Sequence, residues 1–338
     1  MAGRPAEAAY EAAPNIALVK YWGVRDEALG LPYNSSLSVT LDRLRTRTKV
    51  RFDPALPADR FVLNGAEQSG APLRSVSEFL DNVRAIARME THASVRSTNN
   101  FQTASGLASS ASGFAALAGA ATRAAGLRLP APALSRLARL GSGSACRSLF
   151  GGFVEWRAGN RADGRDCFAR PLFPARHWPG LVDLVVIIED APTKPVRSAV
   201  AMQRTVATSP EYARRLREVP RRIRAMKRAI GERDGPRLFD LTIEECDSFR
   251  RVCETTEPSL DYLVPASRAV LTEVRAANEE NGPSVAGYTH DAGAHVHVFT
   301  LRRSAGPLRR RLARVPGVAK VLSLSPGPAG RVLRRWPG

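Results

Sequence analysis

Lysine is nearly missing from this chain, with five residues set against 45 arginines. A bias that deep reads as coding preference with many solvated guanidinium groups, and it makes each surviving lysine worth inspecting. Cysteine is scarce as well. Cys146, Cys167, Cys246 and Cys253 show no CxxC spacing, which argues against a zinc ribbon or a disulfide framework and leaves simple reduced thiols. No apolar run approaches membrane-spanning length. The opening MAGRPAEAAYEAAPN carries acids where a signal peptide would be basic and then apolar, so the expectation is a cytoplasmic protein with no membrane partner. Acid is missing locally too: no Asp or Glu occurs from Thr91 to Val154, although arginine recurs there.

What is present is an ordinary globular composition, 338 residues with 44% hydrophobic and 24% charged side chains, enough for two domains. The formal charge of +18 raises nucleic acid as a partner. That excess is spread over both halves of the chain rather than gathered in a tail or patch, so no nucleic-acid partner is expected.

The acid-free region contains Asn99–Ser112, NNFQTASGLASSAS, which runs into the helical pattern GFAALAGAATRAAGL after a strand over Ser94–Thr98. Small residues entering a helix let a polyanion approach backbone N–H groups at the positive end of the helix. They also merely permit close packing, and the missing acids are what favour a phosphate. Lys20 stands among apolar and aromatic neighbours, beside Tyr21 and Trp22. A lysine so placed either snorkels to solvent or is held near an anion. GSGSACRSLFGG puts Ser142, Ser144 and Arg147 in tight backbone, where a planar guanidinium fork suits a carboxylate or phosphate, or is one more surface arginine.

LVDLVVIIED, from Leu181, reads as a strand buried on both faces. Helices follow, one with the apolar stripe Leu216, Val219, Ile223, Met226, Ile230 and arginines on its other side. Near the end, His290, His295 and His297 fall within eight residues and raise a metal site, against which exposed strand histidines are common. Asp291, before Ala292 and Gly293, is the better candidate for chemistry, as a base or the charge partner of a lysine. The segments 1–10 and 330–338 are expected to be loose.

In order and spacing, NIALVKYWG, NSSLSVTLD, TASGLASSASGFAAL, GSGSACRSLFGGFVEW, TVATSPEY and YTHDAG resemble the diphosphomevalonate decarboxylase family of the GHMP kinase superfamily over almost the whole chain. The resemblance implies an α+β, two-domain GHMP kinase fold: a ribosomal-protein-S5-like domain over 1–185 holding the ATP phosphate loop, and a ferredoxin-like domain over 186–330 carrying Asp291. It implies ATP and Mg2+ as cofactors, a small phosphorylated substrate, and a homodimer. The reaction implied phosphorylates the 3-hydroxyl of mevalonate 5-diphosphate, then expels phosphate and carbon dioxide to give isopentenyl diphosphate.

Carried over by position, Asp291 lies against the 3-hydroxyl with Lys20 beside it, and Arg147 clamps the substrate carboxylate. Ser142, Ser144 and Tyr21 support the substrate, while Gly106, Ala108, Ser109 and Ser110 hold ATP phosphates, Ser110 also meeting the metal. Several positions depart from the family. Val24 stands where KYWGK has a lysine for the substrate's terminal phosphates, Ala199 and Ala201 replace a small polar or basic residue and a glycine, DAGPN becomes DAGAH with His295, and NNFPT becomes NNFQT. Arg197 is the nearby candidate to replace the lost charge. These changes leave mevalonate 5-phosphate as an alternative substrate. A superfamily kinase that does not decarboxylate is a second alternative, and a nucleic-acid binder a third.

Overall fold

The structure, a computed structural model, describes residues 7–101, 109–191 and 196–336. Its first strands follow the apolar alternation. β1 (Glu7–Ala12) leads into β2 (Asn15–Val19), every residue of which is buried, and a small hairpin, β3 (Val24–Asp26) with β4 (Leu31–Pro32), precedes β5 (Ser36–Thr40). In β6 (Thr46–Phe52) buried and half-buried positions alternate with the period of two that a one-sided strand requires. β7 (Arg60–Leu63) and β8 (Ala66–Gln68) form a hairpin across Asn64 and Gly65. Helix α1 (Gly70–Ala87) buries Val76, Phe79, Leu80 and Val83, whereas Ile86 is exposed.

β9 (Ala93–Asn99) precedes α2 (Ser109–Ala124), whose alanines are buried nearly all round against β1 and β6. Next come α3 (Ala131–Gly141), the single turn α4 (Ala145–Ser148), β10 (Phe153–Trp156), β11 (Ala169–Phe173) and β12 (Leu181–Ile188). The remainder is α5 (Ser198–Thr208), α6 (Tyr212–Glu232), α7 (Gly235–Glu254), α8 (Pro265–Asn281), β13 (Ala286–Thr289), β14 (Val296–Leu301), α9 (Arg302–Leu312), β15 (Val318–Leu324) and β16 (Arg331–Leu333).

The strands build a six-stranded sheet, β16-β1-β6-β9-β7-β8, and two four-stranded sheets, β11-β10-β5-β2 and β13-β14-β12-β15. The first two sheets with α1 to α4 make an N-terminal lobe, and the third with α5 to α9 a C-terminal lobe, the two-part α+β arrangement of GHMP kinases. β12 explains its own apolar run. Val182, Leu184, Val186 and Ile188 pack on residues of α8 and α9, while Leu181 and Val185 face a core shared with β2, β5 and α6. The strand crosses position 185, where sequence placed the domain boundary.

The termini correct one expectation. β1 lies between β6 and β16, and Ala9, Tyr10 and Glu11 register with Leu333, Val332 and Arg331. The tail is therefore a strand of the N-terminal sheet, held by ladder hydrogen bonds that periodicity in so short a segment does not reveal. Among the described residues no helix is long and apolar enough to cross a membrane.

Candidate active site

β2 ends at Val19, so the backbone of Lys20 leaves the ladder and needs other partners. Its N–H donates to Glu245 Oε1 at 2.9 Å, and its carbonyl accepts from Asn34 Nδ2 at 2.9 Å. The next residues are gripped as firmly. Trp22 Nε1 donates to Thr205 Oγ1, and the Tyr212 hydroxyl donates to the Trp22 carbonyl at 2.8 Å. Gly23 has φ +100°, and a Cβ there would lie 1.8 Å from the Tyr212 oxygen, so only glycine fits. From this fixed backbone the Lys20 side chain, 4% exposed, reaches Asp291 Oδ1 at 2.8 Å.

Asp291 follows β13. Its carbonyl accepts from Gly293 N at 2.7 Å and from His290 Nδ1 at 2.7 Å, so the Nδ1 of His290 carries a proton. The His290 ring is buried with its centroid 5.6 Å from that of Phe249, and burial pushes its pKa down to about 4, keeping it neutral. One cation and one carboxylate, drawn from different lobes, thus meet where both backbones are pinned.

Arg147 is held differently. It lies on the α4 turn, 3% exposed, with Nε donating to Asn15 Oδ1 at 3.0 Å and Nη1 to Ser36 Oγ at 2.7 Å. Asn15 is oriented in turn by donating to Ser148 Oγ at 2.7 Å. Burial pulls the Arg147 pKa below the ordinary arginine value, opposed by Cys146, Asp291 and Tyr21. Among the described residues no carboxylate forms an ion pair with it. Tyr21 packs edge-on against Trp156, 4.7 Å between centroids, and a Cβ on Gly143 would come within 2.7 Å of the Tyr21 ring. Burial raises the Tyr21 pKa, so it stays a neutral phenol.

These groups line one cleft of about 620 Å³. Lys20, Tyr21, Ser142, Ser144, Arg147, Arg197 and Asp291 all open onto it, and so do Val24, Ala199 and Ser110. Arg197 stands exposed at the start of α5. Ser109 begins α2 but does not reach the lining; Ser110, one residue on, does. Gly106 and Ala108 lie outside the described residues. The lining carries four cationic side chains against Glu27 and Asp291, and α2 has no acid in its first turn, a setting that fits a polyanionic nucleotide and its metal ion.

Sequence reasoning missed Glu245, Arg215, Asn15, Asn34 and Ser36. Asn15, Asn34 and Ser36 sit inside quoted motifs as polar residues within apolar strand ends, which was their signal. Glu245 and Arg215 gave none, since each occupies a helix rich in charge. Arg215, expected on a solvated face, is 1% exposed and ion-paired with fully buried Glu245. The histidines also depart from expectation. His295 and His297 are buried, because β14 is covered on both sides, and His297 Nδ1 bonds Asp183 Oδ2 at 2.7 Å. No group of three ligating side chains arranged for a metal occurs among the described residues.

Comparison with known proteins bears on this geometry. The family model for the diphosphomevalonate decarboxylase-like N-terminal domain matches residues 12–169, and that for the mevalonate 5-diphosphate decarboxylase C-terminal domain matches 184–321. The chain is 42% identical over 304 residues to diphosphomevalonate decarboxylase of Rattus norvegicus, covering 85% of this chain and 75% of the rat protein. It is 41% identical over 300 residues to that of Candida albicans, covering 84% and 82%. Among solved structures, the Enterococcus faecalis mevalonate diphosphate decarboxylase superposes with TM-score 0.90 at 38% identity, covering 98% of this chain and all of that one. A complex of MDDEF with MVAPP, AMPPCP and magnesium superposes with TM-score 0.91 at 38% identity and the same coverage.

Proposed function

The chain belongs to the diphosphomevalonate decarboxylase family, and from that premise we propose that its cleft carries out the ATP-dependent decarboxylation of mevalonate 5-diphosphate to isopentenyl diphosphate, with Lys20, Asp291 and Arg147 as the working groups. The observation that carries this reading is the 2.8 Å Lys20–Asp291 pair facing the same cleft as an arginine with no carboxylate partner among the described residues. A proton-accepting carboxylate and an open carboxylate receptor are what the two halves of the reaction need.

Phosphoryl transfer from ATP to the tertiary 3-hydroxyl converts that oxygen into a leaving group. Asp291 accepts the hydroxyl proton as the new P–O bond forms, and Lys20 holds the aspartate ionised and aimed. The C3–O bond then breaks with its electron pair leaving on phosphate. Electron deficiency at C3 is quenched as the C1–C2 pair moves to form the C2=C3 double bond, and carbon dioxide departs. Arg147 grips the substrate carboxylate by its planar fork, flanked by Ser142 and Ser144, and Tyr21 packs on the substrate from the other side. A carboxylate clamp has no purpose in a kinase acting on a neutral alcohol.

ATP and Mg2+ serve as cofactors. Ser110, at the start of α2 and on the cleft lining, would take the ATP phosphates and the metal ion, with Ser109, Gly106 and Ala108 assigned to the phosphates by the resemblance alone. Arg197, exposed at the mouth of the cleft, takes the charge at the far end of the substrate that Val24 no longer meets. The reading carries the homodimer that the resemblance implies, and sedimentation at working concentration would show twice the chain mass.

The test supplies ATP and magnesium with mevalonate 5-diphosphate, mevalonate 5-phosphate and mevalonate in parallel, following ADP and carbon dioxide. Equal release of both from the diphosphate is expected. ADP without carbon dioxide would instead identify a kinase, and preference for the monophosphate would give Val24 the decisive role.

A further inference from the structure

The deepest ion pair near the cleft touches no surface from which substrate enters. Glu245 on α7 has no exposed side-chain area, and Arg215 on α6 is 1% exposed. Arg215 bonds Glu245 Oε1, and Arg222 Nη1 donates to Oε2 at 2.6 Å. Buried ion pairs are weak contributors to stability, because desolvation offsets their attraction and apolar replacements of similar size are often as stable. The third ligand of the carboxylate is the informative one: Oε1 also accepts the peptide N–H of Lys20 at 2.9 Å.

One turn along the same face of α7, Phe249 packs on the His290 ring, and His290 holds the Asp291 carbonyl. A single helix therefore grips the backbone of both members of the Lys20–Asp291 pair, one through Glu245 and the other through Phe249 and His290. We propose that Glu245 is a positioning residue, which fixes Lys20 of the N-terminal lobe against Asp291 of the C-terminal lobe by accepting the Lys20 N–H, while Arg215 and Arg222 hold its carboxylate in place. A pair that must sit at 2.8 Å across two lobes tolerates little slack, since small misplacements of reacting groups are costly in rate. The proposal rests on the decarboxylase reading above.

The test compares two double variants, Arg215→Met/Glu245→Gln and Arg215→Met/Glu245→Leu. Both delete the buried charge pair, and Arg222 keeps Glu218 as a partner at 3.1 Å. Only the glutamine retains an acceptor for the Lys20 N–H. The leucine form is expected to have a kcat about tenfold or more below the glutamine form, with KM for ATP and substrate within about twofold. In a Lys20→Met background that ratio should collapse toward one, because there is no ammonium left to place. Equal kcat in the two forms, or an undiminished ratio without Lys20, would overturn the proposal. Should the leucine form not fold, Asn34→Ala, which leaves the Lys20 carbonyl only the 3.4 Å bond from Arg215 Nη2, reads the same split: an unchanged kcat there rejects the mechanism, and a fall in kcat at constant KM supports it. Failure of the underlying reading looks different, since the unaltered protein would then release no carbon dioxide from mevalonate 5-diphosphate.

Discussion

Two buried cations face one cleft, and the protein holds them in opposite ways. Lys20 is fixed through its backbone, by Glu245 and Asn34, and its ammonium is already matched to Asp291. Arg147 is fixed through its side chain, by Asn15 and Ser36, and those partners are neutral. The first arrangement uses its charge inside the protein, paired at 2.8 Å with a carboxylate. The second leaves a desolvated charge facing the cleft, oriented and, among the described residues, without an ion-paired carboxylate, an arrangement suited to receiving an anion. On the proposed mechanism, reactivity and recognition are thus separated by what each cation is bonded to.

Breaking the matched pair should give the largest effect. Asp291→Asn keeps the shape but removes the acceptor of the hydroxyl proton, and kcat is expected to fall by roughly 10³-fold or more. Substrate affinity, measured by calorimetry with a non-hydrolysable nucleotide, should change by only a few-fold, because the clamp at Arg147 is intact. Near-normal turnover in this variant would remove Asp291 from the chemistry.

The unmatched cation gives the converse test. Arg147→Lys keeps a positive charge and loses the planar fork together with the bonds to Asn15 and Ser36, and a loss of about 10²-fold in kcat/KM is expected. Truncated substrates should sharpen the distinction. An analogue lacking the carboxylate should be phosphorylated by the unaltered protein and by Arg147→Lys at similar rates, whereas for Asp291→Asn both substrates should fail alike.

The two holding systems also differ in acid. His290, which secures the Asp291 carbonyl, has its pKa lowered to about 4 in the fold against an ordinary 6.5, through burial, with Lys20 and Arg250 lowering it further and Asp291 opposing. The unfolded chain binds a proton first, so this contribution to stability is whole above pH 6.5 and declines as pH falls toward 4. The loss from His290 is about 2 kcal/mol by about pH 5. Thermal melts from about pH 7.5 to about pH 5 should show it, and His290→Asn, which keeps an N–H donor, should flatten that slope.

Much of this is legible in the sequence alone. Lys20, Arg147 and Asp291, singled out by residue type and motif, line the same cleft, and the patterns of α2 and β12 match the layers they enter. What sequence hid has a common cause. Glu245 and Arg215 lie on helices where charge is the rule, so nothing in spacing marks two members of that crowd as partners across 30 positions in the interior. β16 is too short to show a period. The histidines of β14 alternate as an exposed strand would, and only the cover from neighbouring elements turns both faces inward.

Val24 offers the smallest and most pointed test, because it lies on the cleft wall and belongs to neither holding system. Val24→Lys would add a cation near the mouth, partly solvated, and a partly exposed charge contact contributes about 1 kcal/mol or less. KM for mevalonate 5-diphosphate should therefore drop by no more than about tenfold, with kcat unchanged, since Lys20 and Asp291 do not sense the far end of the substrate. Arg197→Ala should raise KM by a similar factor, and Val24→Lys should restore it if the two cations serve the same phosphate. Were Val24→Lys to leave the diphosphate unaffected while weakening the 5-phosphate, the wall around position 24 would be shaped for the shorter substrate.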